Sequence, residues 1–356
     1  MAKRLELYYG AGGTGKSEAA LRVIKLMNEA TGKKARVFLG DGSQATYDDS
    51  GLVDAGIIET LDFGARDWPT STLNQLAEGW WPADPQDPKS PLIAPTPASI
   101  ANIGVLVGEG LSVGGLYIMG DSKGGLAYRA ARGEKIGTEV SYRYIDGETD
   151  ALGNFKDNKD HTNGPGMAFG ANGLAHYGAA QKRILGVVER SKSVPVDYMI
   201  WTAHERAAED KLTKETIVGP EVAGGALTAN MQRHFNNTLH FVTAEKRGKE
   251  TDEFSLKLIT DLDVVYRIYT RDHFSPQGTV QIKFKACTRG MAAGNGPIYD
   301  KTGKLISDDD TMPLFFTGAR PGDAIEAFYA RLKGIRARRA EAAIAAMAAR
   351  TPVVAA

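Results

Sequence analysis

Apolar residues fall in short blocks separated by segments in which they recur every three or four positions. Leu5 to Tyr9 is a largely apolar run of strand length. From Ser17 to Asn28 the apolar positions keep helical spacing, with Ala20, Ile24 and Met27 in line and Leu21 beside them. Gly32 follows where a helix C-cap is expected. Ala35 to Leu39, Gly56 to Phe63, Ile103 to Val107 and Tyr198 to Ala203 read as four more strands. Leu111 to Asp121 and Ala179 to Ser191 carry the helical period. Leu239 to Thr243, Phe254 to Ile259, Val264 to Tyr269 and Val280 to Phe284 are closely spaced strand candidates, the arrangement of antiparallel hairpins. Asp323 to Ala349 is alanine-rich and helical, with Ile325, Phe328, Leu332 and Ile335 on one stripe. Alternating strands and helices predict an α/β protein. Its central sheet should be mostly parallel and flanked by helices, with extra antiparallel strands toward the C-terminus.

Two stretches break the pattern. Trp80-Trp81 leads into a proline-rich segment running to Pro97, which neither a regular helix nor a central strand accommodates. A tryptophan pair there stacks on a base or caps a core, and the core is the commoner fate. Residues 146–175 are polar and rich in glycine and asparagine, the composition of a flexible insertion.

Within the first block, Gly10-Ala11-Gly12-Gly13-Thr14-Gly15-Lys16-Ser17 matches G-x-x-x-x-G-K-[ST] in full, between a strand and a helix. The glycines let backbone N–H groups curl around phosphate oxygens. Lys16 supplies a point charge to the β- and γ-phosphates, and the Ser17 hydroxyl can ligate Mg²⁺. The helix that follows aims its positive end at the same anion. ATP with Mg²⁺ is the expected ligand pair.

Hydrolysis needs an acid for the metal and a group that orients water. Glu109 follows Val105-Leu106-Val107-Gly108, and Asp121 follows Leu116-Tyr117-Ile118-Met119-Gly120. Glu109 is preferred, because the residues leading to Asp121 have helical rather than strand spacing. His204 ends the fifth strand, two residues after Thr202, and strand ends of a parallel sheet face the ligand crevice. In Lys283-Phe284-Lys285-Ala286-Cys287-Thr288-Arg289, strand alternation puts Lys283 and Lys285 on one face.

Charge and cysteine content narrow the setting. Lys plus Arg and Asp plus Glu both number 43, so any contact with nucleic acid must come from local patches. One such patch is Arg331, Lys333, Arg336, Arg338 and Arg339, within the C-terminal helix. A single cysteine, Cys287, rules out an internal disulfide framework and fits a reducing compartment. No apolar run approaches the ~20 residues that span a bilayer, and the N-terminus has no signal-peptide pattern. A cytoplasmic protein without membrane contact is the expectation.

Taken in order, Tyr9 to Ser17, Val105 to Ser112, Trp201 to Glu205, Gly219-Pro220-Glu221 through Gly224-Gly225-Ala226 to His240, and Lys283 to Arg289 resemble RecA-like P-loop ATPases of the bacteriophage-encoded AAA/RecA-type group. Members of that group assist recombination and single-strand annealing. The resemblance covers about residues 4–290. It implies a RecA-like ATPase core over 1–290, with 146–175 as an insertion, and a C-terminal extension over 291–356 bearing the basic helix. It also implies a DNA-stimulated ATP phosphohydrolase acting on single-stranded DNA as a ring or filament of identical subunits, in the host cytoplasm if phage-encoded. Lys16 and Ser17 would hold phosphate and metal, Glu109 would be the second acidic motif, and His204 the sensor. Lys283, Lys285 or Arg289 would act across a subunit boundary. The group's second motif usually ends in a pair such as Asp-Ser, where this chain has Glu109-Gly110. A P-loop kinase on a small molecule, with Lys123, Arg129 and Arg132 in a lid over 123–135, and a regulatory ATP-binding module are the alternatives.

Overall fold

The computed structural model of the protein describes residues 4–40, 43–63, 72–87, 89–119, 174–209, 216–222, 225–245, 264–274, 282–288, 298–299, 305–306 and 312–348. Asp121, Arg289, the 123–135 segment, residues 146–173 and the strand expected at Phe254–Ile259 lie outside the described residues.

Twelve of the described strands form one mixed sheet. At its centre six strands run parallel in the order β3 (Ile58–Asp62), β2 (Lys34–Leu39), β4 (Ile103–Glu109), β5 (Tyr198–Glu209), β1 (Arg4–Gly10) and β7 (Asn237–Glu245). Beyond β7 the sheet turns antiparallel, with β8 (Val264–Tyr269) and then β12 (Phe315–Gly318). The outer half of β5 leaves the parallel core and pairs antiparallel with β6 (Thr216–Pro220). β10 (Ile282–Phe284) runs parallel to β6, and β9 (His273–Phe274) closes that wing. A short β11 (Cys287–Thr288) pairs antiparallel with β7. Of the closely spaced late strands, Val264–Tyr269 is an antiparallel addition as expected, whereas Leu239–Thr243 falls in β7, which runs parallel to β1, and β10 runs parallel to β6.

Both faces of the sheet are covered. On one lie α1 (Lys16–Thr31), the five-residue α2 (Gln44–Asp48) and α7 (Pro321–Ala348). On the other lie α3 (Thr72–Ala77), α4 (Leu111–Met119), α5 (Leu174–Ser191) and α6 (Gly225–Asn230). Strand alternation divides β1 between them: Leu5, Leu7 and Tyr9 enter one core and Tyr8 the other. Trp81 is buried in the first core, with the Arg36 guanidinium 5.2 Å above its ring, so this tryptophan is structural.

The apolar stripe of α7 docks fully: Ile325, Phe328, Leu332 and Ile335 are buried against Tyr8, Ile24 and Phe241. β12 and α7 thus belong to the same sheet and core as the segment before residue 290. A buried carboxylate fastens the helix. Glu6 on β1 is fully buried and accepts hydrogen bonds from Asn237 Nδ2 at 2.8 Å, Tyr8 Oη at 2.8 Å and the Tyr329 hydroxyl of α7. Arg4 lies over the rings of Tyr198 and Tyr329 at 5.2 and 5.7 Å. Burial, the largest effect, and then the Glu6 charge raise the Tyr8 and Tyr329 phenols well above their ordinary value, so both stay donors at neutral pH.

Tyr329→Phe removes one donor from a buried carboxylate. The expected loss is about 1–3 kcal/mol in stability, read from the midpoint of urea unfolding.

Candidate functional site

Parallel register brings the ends of β1 and β4 to the point where β5 leaves the parallel core, so that His204, expected to end its strand, instead lies within it. Gly10 of β1 lies opposite His204 of β5, and Gly108 of β4 opposite Trp201. The loop from Gly10 to Lys16 crosses this point and opens into a cavity of about 340 Å³, lined on the loop side by Gly12, Gly13, Gly15, Lys16 and Ser17. Glu109 and His204 line the same cavity, with Ser43 and Thr46 from the segment after β2. The sequence-selected loop, acid and histidine therefore converge.

Close packing shapes the loop. A Cβ on Gly10 would sit 2.3 Å from the Phe241 carbonyl oxygen, so only glycine lets β1 pass β7 there. Gly15 has φ of 84°, in the left-handed region, and serves as the N-cap of α1. As a glycine it offers no side chain to the first-turn N–H groups, which leaves that end of the helix suited to an anion. The Thr14 hydroxyl donates to the Ala11 carbonyl at 2.9 Å and tightens the turn. Lys16 folds back over it, Nζ donating to the carbonyls of Gly10 at 3.1 Å and Ala11 at 2.7 Å.

Glu109 is 2% exposed and its two oxygens are held separately. The Tyr47 hydroxyl donates to Oε1 and the Thr202 hydroxyl to Oε2. Thr202 Oγ1 in turn accepts from the Gly110 N–H at 2.9 Å, fixing the turn after β4. His204 is clamped through its backbone: its N–H donates to Ser112 Oγ at 2.8 Å, and its carbonyl accepts from the Glu221 N–H at 2.6 Å. Its half-buried ring stays at the cavity wall.

The two lysines lie elsewhere within one chain. Lys283, on β10, stands 6.0 Å from the Phe274 ring centroid, and Lys285, just past the strand, pairs with Asp272 at 3.4 Å. Neither lines the cavity at the Gly10–Ser17 loop. Sequence reasoning passed over Ser43, Thr46 and Tyr47. Their signal was positional, since they follow the C-terminal end of a parallel strand. Tyr266 and Pro321, which also line the cavity, carried no such signal for Tyr266, while Pro321 marked only a helix start.

Behind the loop lies a second ionisable cluster. His240 stacks on Tyr9 with centroids 4.7 Å apart. Its Nε2 is 2.9 Å from Glu205 Oε2, and its Nδ1 is 3.3 Å from His273 Nε2. His273 Nδ1 faces the Arg271 carbonyl at 3.2 Å and so bears its proton there. Burial pushes His273 down to about 4, with its Arg271 hydrogen bond opposing. Burial also lowers His240, against its bond to Glu205.

No metal-binding group of three or more His, Cys, Asp or Glu occurs among the described residues. Mg²⁺ does not require one: it is commonly held by one or two protein oxygens together with waters and substrate phosphates. The Ser17 hydroxyl and the oriented Glu109 carboxylate are hard oxygen donors of that kind lining one cavity. No protein-family model matches the chain, and no curated protein matches it.

The His273 shift has a definite sign. Unfolded, the imidazole takes up a proton near pH 6.5, whereas folded it does so only near 4. The unfolded state binds more protons between those values, so stability falls as pH drops from about 6.5 to about 4. His273→Phe is expected to flatten this dependence, checked by denaturant midpoints at pH 7, 6 and 5.

Proposed function

We propose that this chain is a RecA-like P-loop ATPase that binds MgATP, hydrolyses it, and couples the cycle to single-stranded DNA in recombination or annealing. One observation carries the nucleotide reading: Lys16 and the buried, doubly hydrogen-bonded Glu109 line the same cavity although 93 positions separate them in sequence. The DNA reading rests on the family resemblance of the ordered motifs and on the basic middle of α7, where Lys333 and Arg338 are exposed.

Each residue has a role in this scheme. Phosphate oxygens displace the Gly10 and Ala11 carbonyls as partners of Lys16, whose charge then faces the β- and γ-phosphates. The first-turn N–H groups of α1 hold the same oxygens. Ser17 and Glu109 would hold Mg²⁺, which when bound neutralises charge developing on the transferred phosphoryl group. Tyr47 and Thr202 keep the Glu109 carboxylate from rotating away. His204 orients the attacking water or the γ-phosphate from the β5 side. Positioning and charge neutralisation carry the chemistry, as phosphoryl transfer requires.

Within the assembly, Lys283 or Lys285 of one subunit would reach the nucleotide of the next; neither lines the chain's own cavity.

Lys16→Ala is expected to abolish nucleotide binding, and Glu109→Gln to keep binding while cutting turnover by about 100-fold or more. Phosphate release measured with and without a single-stranded oligonucleotide checks both. DNA stimulation supports the recombination reading, and phosphoryl transfer to an added small acceptor would replace it with a kinase. Mixing Lys285→Ala with Lys16→Ala subunits is expected to restore part of the turnover, since one interface then carries both intact parts. No recovery at any ratio, with assembly verified by light scattering, removes the trans-acting lysine.

A further inference from the structure

On the β4 and β5 side of the loop the cavity is lined by Glu109 and His204, and on the other by Tyr266, Pro321 and Glu18, the last beside the head of α7. The strand order β4-β5-β1-β7-β8 puts Glu109 and His204 to one side of β1 and Tyr266 of β8 to the opposite side. Tyr266 pairs with Thr243, two residues beyond the Phe241 that faces Gly10. Ile268 on the same strand is buried in the core beneath α1 and α7. Strand alternation therefore puts Tyr266 on that helix-covered face, beyond Ile268 toward the sheet edge. Pro321 opens α7 directly against the loop: a Cβ on Gly15 would lie 2.0 Å from Pro321 Cγ. Both rings line the cavity.

A triphosphate laid along the loop with its terminal group toward Glu109 and His204 directs its nucleoside to the opposite end. We infer that Tyr266 and Pro321 form the seat of the nucleobase, so that the ligand is a nucleoside triphosphate gripped at its base by the head of the C-terminal helix. The half-buried Tyr266 ring offers flat surface, which suits stacking on a heterocycle, and the buried Pro321, packed on Gly15, forms the floor beside it. The larger purine ring gains more from such a surface than a pyrimidine. This rests on the phosphate-loop reading above and adds a ligand end and two residues to it.

The test separates the two readings by using a ligand with no base. Wild type, Tyr266→Ala, Tyr266→Phe and Lys16→Ala are titrated calorimetrically, in Mg²⁺, with a non-hydrolysable ATP analogue, the matching CTP analogue and inorganic tripolyphosphate. Tyr266→Ala is expected to weaken the ATP analogue by roughly 5- to 140-fold. It leaves tripolyphosphate unchanged, and Tyr266→Phe restores the ATP analogue. Wild type binds the ATP analogue more tightly than the CTP analogue, and Tyr266→Ala narrows that gap. Lys16→Ala weakens all three ligands. An equal loss of tripolyphosphate and ATP analogue in Tyr266→Ala, no loss of either, or no rescue by phenylalanine overturns the base seat while leaving the phosphate loop standing. Wild-type protein that binds none of the three overturns both.

Discussion

Parallel pairing of β1 with β5 puts Gly10 opposite His204, and the cavity takes its shape from that register. A slip of one residue would turn Leu5, Leu7 and Tyr9 out of their core and carry Glu6 into it. The register is enforced from both sides, since β7 pairs parallel with β1 along its other edge and sets Gly10 against Phe241. The same register brings the end of β4 beside β5. Glu109 can then be met by a hydroxyl from β5 and another from α2, although neither is its neighbour in sequence.

Short-range patterns were readable and long-range partners were not. The loop from Gly10 to Ser17 is a local motif, and its flanking strand and helix form where their periodicity places them. Glu109 was readable as a strand end, whereas His204, expected to end its strand, lies within β5, which runs on to Glu209 to pair with β6. Tyr47, the partner that holds Glu109, was not, because α2 must fold back over the sheet edge before the two meet. The α7 stripe of Ile325, Phe328, Leu332 and Ile335 announced a buried face, but a helical period names no partner. The structure supplies β1 and α1 as its floor. Alternation put Lys283 and Lys285 on one strand face. The strand ends at Phe284, and Lys285 turns to Asp272 instead.

The site is thus assembled from both ends of the chain. α1 follows the loop, and α7 lies on α1 with Arg22 paired to Glu326 and Pro321 against Gly15. A ligand bearing on the loop bears also on the first turn of α7, and through it on the exposed cations Lys333 and Arg338 farther along. In the function proposed above, this contact is the route by which a nucleotide at the loop would act on the basic part of α7 without any change in the sheet.

The Glu6 carboxylate has a consequence for biosynthesis. One of its two hydroxyl donors, Tyr329, lies 323 residues downstream. At translation rates of about 5–20 residues per second, the first strand leaves the ribosome roughly 15 to 65 s before that donor exists. Until then the carboxylate lacks one of the three donors that hold it in the folded chain, so β1 cannot reach its finished packing. A nascent chain therefore cannot finish the packing around β1 until α7 has been made, and it stays open to chaperones for that long.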